Sequence, residues 1–270
     1  MSSEAPSRPI TVRRATRLEP STERTFDDDV CVEEPLEIRV EGRPLAVLMR
    51  TPGNDPELVA GFLYTEGVID GPDDLAALAH VDRPGDERGN TVDVRLAAGV
   101  EAHRARLERA QRELYASSAC GVCGKASIDR LLFATPPRVR VADPPTAMLL
   151  QLQPALRRAQ VGFARTGGQH AAALFDFDGQ LELLREDIGR HNAVDKVLGA
   201  RLLADRVPVD DRVLFVSGRA GWEIVQKALV ARVPVVAAVG AASSLAIDLA
   251  REGGLALYAF VRDQSLNRYA

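Results

Sequence analysis

Three runs of apolar residues in the last quarter of the chain constrain its fold more than any other feature. They are Val213 to Val216, Val233 to Val239 and Leu255 to Val261, separated by helix-length stretches at residues 222–232 and 243–252. Strands that are apolar on both faces are buried on both faces, and strands that alternate with helices form βαβ units. The sequence therefore predicts an α/β fold with a largely parallel sheet in this region.

The first half of the chain has shorter and more polar elements. Residues 34–49 contain two strand-like runs around a turn, which predicts a hairpin, and residues 57–67 have apolar side chains at helical spacing. Residues 91–96 are typical of a strand. Residues 101–115 predict a strongly charged helix, whose arginine and glutamate side chains we interpret as a solvated face.

This change in composition along the chain predicts three parts. The first 25 residues are polar and contain proline, which indicates a flexible arm or an edge segment. We expect a smaller N-terminal α+β part over residues 26–112. Residues 113–270 would form the α/β domain.

Charge and cysteine content exclude some classes of function. The 270 residues carry a net charge of −4, which argues against a protein that neutralises a nucleic-acid backbone. No apolar run reaches the roughly 18 residues of a membrane span. Three cysteines are too few for a disulfide framework, and the N-terminus lacks a secretory signal, so we expect a cytoplasmic protein with no nucleic-acid or membrane partner.

A C-x-x-C motif, Cys120-Gly-Val-Cys123, is the clearest candidate for chemistry. Residues 125–134 are helical in pattern, so the cysteines would precede a helix N-terminus and lie near Lys125. The helix dipole and the ammonium group stabilise a thiolate and lower its pKa below the usual value of about 8.5. Both effects favour a nucleophilic cysteine.

Three functions remain open for this motif on spacing alone. A structural zinc site needs four ligands, and no second C-x-x-C or H-x-x-x-H completes the set. A thioredoxin-like redox pair fits the spacing but should follow an early strand. A cysteine that carries sulfur as a persulfide is the third. We interpret Cys31 as a small buried apolar side chain.

Further polar clusters stand where strands end and helices begin. His170 precedes an alanine-rich run, and residues 185–196 place eight polar or charged side chains in twelve positions. Taken singly, a histidine here is more often structural than catalytic, whereas such density is typical of a site. The turns at 216–219 and 239–244, with residues 262–265, would lie along one carboxyl edge of the sheet, where serine, arginine and helix N-termini suit a phosphate-bearing ligand.

At this point the chain resembles a known family. The stretches SSACGVCGKASI, TGGQHAAALFD, REDIGRHNAVDKVLG, SGRAGWEIVQKAL, VPVVAAVGAASSLAIDLA and FVRDQSLNRY, in this order, closely resemble the formate dehydrogenase accessory sulfurtransferases of the FdhD family. The N-terminal stretch PLEIRVEGRPLAVLMRTPGNDPELVAGFLYTEGVI is similar to them as well. The resemblance extends from about residue 34 to the C-terminus.

The resemblance implies a fold, an activity and partners. The fold is a cytidine-deaminase-like three-layer C-terminal domain with the smaller N-terminal part. The activity is that of a sulfurtransferase, which takes sulfur from a cysteine desulfurase and passes it to the metal of the molybdenum cofactor bis(molybdopterin guanine dinucleotide), bis-MGD. This cofactor is cargo, and no intrinsic metal is implied. The resemblance also implies a homodimer, and formate dehydrogenase as the enzyme served.

The resemblance assigns roles to individual residues. Cys120 would carry the persulfide, with Cys123 as the second thiol. The cofactor-binding stretch falls on Phe260, Val261, Arg262, Asp263, Gln264 and Ser265. Many relatives have glycine-rich sequence there, so main-chain contacts are expected more than side-chain contacts. Additional candidate site residues are Lys125, His170, Arg190, His191, Ser217, Arg219 and Ser243.

Other functions are compatible with parts of this sequence. The deaminase fold suggests deamination, but the C-x-x-C precedes His170, and His170-Ala-Ala has alanine where the general acid/base glutamate should be. A non-catalytic chaperone for the cofactor, or a thiol redox protein, remain alternatives. All but three of the 34 basic residues are arginine, and the lysines, Lys125, Lys196 and Lys227, fall in these motifs, which suggests positions where a compact ammonium is required.

Overall fold

The computed structural model describes residues 8–82, 89–118 and 144–270. It is a mixed α/β structure with three sheets, as the sequence predicts at the level of fold class. The first sheet is a hairpin of β1 (Ile10–Glu19) and β2 (Thr22–Cys31). Residues 10–25, which we expected to be part of a flexible arm, are therefore paired strands.

The second sheet has four strands in the order β4-β3-β6-β5. The strands are β3 (Glu34–Val40), β4 (Arg43–Arg50), β5 (Leu75–His80) and β6 (Thr91–Leu96). The expected hairpin is β3–β4, and the expected strand at 91–96 is β6. Two helices accompany this sheet, α1 (Asp55–Thr65) and α2 (Gly99–Ser118), together with a single 3₁₀ turn (Pro72–Asp74).

The boundaries of α1 follow from local chemistry. Asn54 precedes the helix with φ 58, and a proline occupies the first turn, where its missing N–H costs nothing. After the helix, Gly67 has φ +68, and Val68 N donates to Leu63 O at 2.8 Å. This left-handed end is the C-terminal glycine cap that the sequence predicts.

The third sheet has six strands in the order β12-β11-β10-β9-β7-β8. Its strands are β7 (His170–Phe175), β8 (Leu181–Asp187), β9 (Val213–Val216), β10 (Val235–Ala238), β11 (Ala256–Ala259) and β12 (Asn267–Arg268). Strands β9, β10 and β11 are parallel, whereas β7, β8 and β12 run antiparallel to their neighbours. The expectation of a largely parallel sheet is therefore wrong outside the three central strands.

Five helices accompany the six-stranded sheet, the large sheet, in the described part of the chain. They are α3 (Thr146–Ala159), α4 (Val161–Thr166), α5 (Arg190–Leu203), α6 (Trp222–Val230) and α7 (Ser244–Glu252). The last two connect β9 to β10 and β10 to β11, as the βαβ prediction requires. None of the described helices combines the length and apolar composition of a membrane span.

Buried side chains cover both faces of the large sheet. On one face, Leu174 and Leu214 pack with residues of α1, α5, α6 and α7. On the other face, Phe175 and Phe215 pack with α3, and their rings meet edge to face at 6.1 Å. Helices therefore lie on both faces of the sheet. Whether this arrangement is specifically cytidine-deaminase-like stays a prediction.

The N-terminal part and the large sheet share one core. Leu36 and Val92 of the four-stranded sheet belong to the same buried cluster as Val197 of α5 and Leu257 of β11. Helices α1 and α5 cross with their backbones in direct contact at Gly61 and Gly199, where an added Cβ would lie 1.9 Å and 1.8 Å from carbonyl oxygens of the other helix. The expected boundary between residues 112 and 113 falls inside α2.

Candidate functional site

Three chain segments meet at the carboxyl edge of β9, β10 and β11. The turn after β9 and the turn after β10 are joined by Gly240 N donating to Gly218 O at 2.8 Å. The segment after β11 joins them through Phe260 N donating to Gly240 O at 3.0 Å. A Cβ on Gly240 would lie 2.7 Å from Gly218 O, so only glycine allows this close approach. The structure thus assembles the edge that the sequence predicts.

The segment after β11 presents exposed side chains at this edge. Phe260 is 40% exposed and has φ 51, a left-handed conformation that is costly for a bulky residue. Val261 is buried, whereas residues 262–265 are exposed. Arg262 Nη1 donates to Val239 O at 2.6 Å, which ties the segment to the end of β10. The strained phenylalanine therefore stands on a backbone fixed by its neighbours.

Strands β7 and β8 bring a second group of residues to the same edge. His170 begins β7, and an added Cβ on Gly218 would lie 3.5 Å from His170 Nδ1 and 3.6 Å from Arg190 Cβ. Arg190 Nε is buried and has no acceptor among the described residues. His191 Nε2 lies 2.7 Å from Glu223 Oε2, and this contact lowers the pKa of the Glu223 carboxyl.

The electrostatics of this edge favour an anion. Helices α5, α6 and α7 all begin there, and their N-termini carry partial positive charge. Arg190, Arg219 and Arg262 add full positive charges, and Arg219 is exposed. The acidic residues there are Glu223, in the first turn of α6, and the exposed Asp263. Positive charge therefore predominates where the three turns meet.

Burial lowers the pKa of His170 below its usual value of 6.5, and the charges of Arg190 and His191 lower it further. We expect the NMR titration midpoint of His170 to lie below 6.5 and to rise in Arg190→Gln. Arg206→Gln, at an exposed arginine elsewhere, is the control.

The lowered pKa of His170 also makes stability depend on pH. Below about pH 6.5, His170 binds a proton in the unfolded chain more readily than in the folded protein, so the free energy of unfolding should fall as the pH drops. A wild-type midpoint at or above 6.5 would contradict this assignment.

Two of the predicted serines have clear structural contacts. Ala171 N donates to Ser217 Oγ at 2.9 Å, which links β7 to the turn after β9. Ala246 N donates to Ser243 Oγ at 3.2 Å, so Ser243 caps α7. Both hydroxyl groups therefore hold the edge together.

A cleft of about 350 Å³ opens beside this edge, on the α3 face of the sheet. Gln160, Gln169, His170 and Ser217 line it together with residues of α3 and α4 and with Val239. Gln160 and Gln169 are buried, at 4% and 5% exposure. The sequence motifs contain Gln169, His170 and Ser217, but neither Gln160 nor Gln169 is a predicted site residue.

The candidate nucleophiles lie outside the described residues. Cys120, Cys123 and Lys125 fall between residues 118 and 144, so their roles stay predictions. Cys31 is half-buried, with Sγ 3.0 Å from Thr51 Oγ1. Among the described residues, no group of three or more histidine, cysteine, aspartate or glutamate side chains is arranged to hold a metal ion.

Most of the chain matches a protein-family model. A family model for the FdhD/NarQ family matches residues 31–270. The chain belongs to the FdhD/NarQ family. The match begins at the last residue of β2 and includes both larger sheets, so the candidate edge lies wholly inside it.

Curated relatives are similar over nearly the whole chain. The sulfur carrier protein FdhD of Anaeromyxobacter dehalogenans (strain 2CP-C) is 50% identical over 250 residues, which cover 90% of this chain and 87% of the relative. The sulfur carrier protein FdhD of Mycobacterium tuberculosis is 48% identical over 269 residues, or 95% of each chain. A solved structure described as a formate dehydrogenase accessory protein from Desulfotalea psychrophila has a TM-score of 0.74 at 22% identity, with 96% of each chain covered, and supports the fold.

The structure gives Lys196 and Lys227 buried partners within this FdhD/NarQ chain. Lys196 Nζ lies 2.7 Å from Asp187 Oδ2 and donates to Thr51 O at 2.9 Å. Lys227 Nζ lies 3.0 Å from both Asp195 Oδ1 and Glu66 Oε1. Burial lowers the pKa of Lys227, but these two carboxylates more than offset it, so the pKa is raised. Buried ion pairs thus account for both lysines without a ligand.

Proposed function

We propose that this chain is a sulfur carrier. It receives sulfur from a cysteine desulfurase as a persulfide on Cys120 and delivers it to the molybdenum of bis-MGD, the cofactor of formate dehydrogenase. The observation that carries the proposal is the similarity to relatives named sulfur carrier protein FdhD over nearly the whole chain. The C-x-x-C motif lies inside the matched region.

Sulfur loading is a thiol exchange. The Cys120 thiolate attacks the outer sulfur of the donor persulfide, a new S–S bond forms on Cys120, and the donor cysteine leaves as a thiolate. Electrons balance in this step, because one persulfide replaces another. The sequence predicts a helix directly after the motif, and the N-terminus of such a helix would favour the thiolate form that the attack needs.

Sulfur release needs two electrons, and Cys123 can supply them. Its thiolate attacks the inner sulfur of the Cys120 persulfide, HS⁻ leaves toward the metal, and a Cys120–Cys123 disulfide remains. A dithiol reductant then restores both thiols. This gives the second cysteine a chemical role rather than a purely protective one.

The positively charged sheet edge supports the binding of the cofactor as cargo. We assign its guanine nucleotide portions to the segment Phe260 to Ser265 and to the neighbouring side chains His170, Arg190, His191, Ser217, Arg219 and Ser243. The buried Arg190 Nε without an acceptor in the described structure is a suitable donor to a phosphate oxygen. The proposal also includes a homodimer. It includes a cytidine-deaminase-like sheet as well, and the helices on both faces of the large sheet support that part alone.

Mass spectrometry tests the proposal directly. After incubation with a cysteine desulfurase and cysteine, the peptide that contains Cys120 should gain about one sulfur mass. Cys120→Ala should abolish the gain, whereas Cys31→Ala, the matched control at the third cysteine, should leave it intact.

Three results would contradict the assignment. The first is no gain of mass on the wild-type protein, and the second is a gain that persists in Cys120→Ala. The third is full activation of formate dehydrogenase by a Cys120→Ala/Cys123→Ala variant, which would indicate a cofactor chaperone. Disulfide reduction by the purified protein, without sulfur loading, would instead indicate a redox protein.

A further inference from the structure

A histidine and a glutamate meet at the carboxyl edge of the large sheet, where two helices begin. His191 is in the first turn of α5, and Glu223 is in the first turn of α6. His191 Nε2 lies 2.7 Å from Glu223 Oε2 and is shielded from solvent. His191 Nδ1 is open to solvent and has no hydrogen bond within the described part of the chain. One ring nitrogen is therefore held beside a carboxylate, while the other is accessible to a reactant.

A buried ion pair lies one helical turn further along both helices. On α5, Asp195 follows His191 by four residues. On α6, Lys227 follows Glu223 by four residues. Lys227 Nζ lies 3.0 Å from Asp195 Oδ1, and both side chains are buried. Separating the two helices would leave these charges unpaired in the core, which is strongly unfavourable. The contact of His191 with Glu223 is therefore fixed by the packing beneath it.

His191 is the proton donor available at this edge among the residues that the structure describes. Arginines keep their protons, and carboxylates carry none near neutral pH. Burial lowers the pKa of His170, and the charges of Arg190 and His191 lower it further, so the His170 imidazole is neutral. Burial also lowers the pKa of Lys227, but two carboxylates more than offset this, so Lys227 keeps its proton. A histidine ordinarily exchanges a proton at physiological pH, and His191 has the accessible nitrogen to do so.

Sulfur release from a persulfide requires such a proton. A persulfide is a stronger acid than a thiol, so its outer sulfur carries negative charge near neutral pH. A less basic group leaves faster, and HS⁻ is far less basic than the sulfide dianion. The step balances with one proton: the Cys120 persulfide anion, the Cys123 thiolate and H⁺ give a Cys120–Cys123 disulfide and HS⁻. The positive charge of the edge attracts the persulfide anion but does not replace the proton.

We infer that His191 donates the proton of sulfur release and that Glu223 positions its ring. The inference rests on the proposed function, which supplies the persulfide and brings it to the cofactor at this edge. His191 Nδ1–H protonates the outer sulfur of the Cys120 persulfide while the Cys123 thiolate attacks the inner sulfur. The electron pair of the broken S–S bond leaves with the outer sulfur as HS⁻. Neutral His191 keeps its remaining proton on Nε2, beside Glu223 Oε2, and is reprotonated by solvent.

Single-turnover kinetics test the proton donor. Protein loaded with one sulfur is mixed with bis-MGD that lacks its sulfido ligand, and mass spectrometry follows the loss of that sulfur from the Cys120 peptide. We expect His191→Gln to load sulfur like wild type but to release it about 100-fold more slowly. Imidazole in the buffer should restore part of the release rate in His191→Ala, which it would not do if the histidine were merely structural.

His80→Gln is the matched control for these variants. His80 Nε2 also faces a carboxylate, at 3.5 Å from Asp55 Oδ2, but it belongs to the four-stranded sheet. This variant should load and release sulfur like wild type.

NMR of the ring nitrogens tests the positioning role of Glu223. Neutral His191 should carry its proton on Nε2 in the wild type, whereas the two tautomers should mix in Glu223→Gln. Sulfur release should slow about tenfold in Glu223→Gln. It should stay unchanged in Glu252→Gln, at an exposed position of α7.

Three results would overturn the inference while leaving the proposed function intact. They are normal sulfur loading with wild-type release in folded His191→Gln, no effect of imidazole on His191→Ala, and a wild-type ring whose neutral form carries its proton on Nδ1. Absence of sulfur loading in the wild-type protein would instead contradict the proposed function, and the inference would fall with it.

Discussion

Replacing Gly199 with alanine is expected to lower the free energy of unfolding by about 3 kcal/mol or more. Helix propensity alone predicts the opposite sign, since alanine in a helix interior is favoured over glycine by about 1 kcal/mol. The contact decides the outcome: a Cβ on Gly199 would lie 1.8 Å from Glu57 O and 2.6 Å from Gly61 N. Both atoms belong to the α1 backbone, so the two helices must separate.

Thermal unfolding measures this effect, at roughly 2 to 4 °C of Tm per kcal/mol for a chain of about this size. Gly61→Ala, on the opposite helix, should show a loss of similar size, because its Cβ would lie 1.9 Å from Asp195 O. Gly71→Ala is the matched control, since an added Cβ there meets nothing within 4 Å and its φ of −166 suits any residue. An unchanged or raised Tm in Gly199→Ala would contradict the close packing of α1 and α5.

Replacing Lys196 with methionine is expected to cost about 3 to 5 kcal/mol, the usual effect of leaving a buried charge without its partner. Asp187 is fully buried, and the Lys196 ammonium is its cationic partner at 2.7 Å. Without it, the carboxylate retains only neutral donors within the described part of the chain, namely Thr51 N, Gly189 N and Asn192 Nδ2. The substitution therefore also loosens the link between the β4–α1 loop and the start of α5.

Urea unfolding of three companion variants separates charge from packing. A Lys196→Met/Asp187→Asn double variant should recover part of the loss, because no charge is then left buried. Arg104→Met, which breaks an exposed pair with Glu101, should change stability by less than about 1 kcal/mol. Lys196→Arg tests whether lysine is required. If that variant kept full stability and fully activated formate dehydrogenase, the position of this lysine would reflect composition bias and not a requirement for an ammonium group.

The parallel strands could be predicted from the sequence, but the direction of their neighbours could not. Continuous apolar runs reveal burial on both faces, and helix-length spacers imply crossovers, so β9, β10 and β11 were identified correctly. An apolar run such as Ala171 to Phe175 shows that a strand is buried but does not show which way it runs relative to its neighbours. Strands β7 and β8 are antiparallel because the turn around Gly179 that joins them is short, and the apolar pattern gives no information about that length.

Charged strands were the main omission. β1 and β2 pair Arg13 with Asp28 and Arg14 with Asp27, so their stability comes from cross-strand pairing and not from a buried face. Their composition therefore resembles that of a loose arm. Strand β5 was missed for a similar reason, since none of its residues is fully buried.

The residues of the candidate site were likewise predictable only in part. Turns after buried strands meet at one edge by topology, so the grouping of Ser217, Ser243 and Arg262 was predictable. His170 joined them only because β7 runs antiparallel to β9. Gln160 belongs to no motif, and Gln169 stands in the TGGQH stretch but is not a predicted site residue, so only the structure places the two in the cleft.

The crossing of α1 and α5 also has a consequence for synthesis on the ribosome. Helix α1 is buried almost all round, and its main partner ends 138 residues later, at Leu203. At 5 to 20 residues per second, α1 waits about 7 to 28 s for that partner to be made. During this interval its apolar surface is open to chaperones and to other nascent chains. We therefore expect the yield of this protein in cells to depend on early chaperone binding to its first 70 residues.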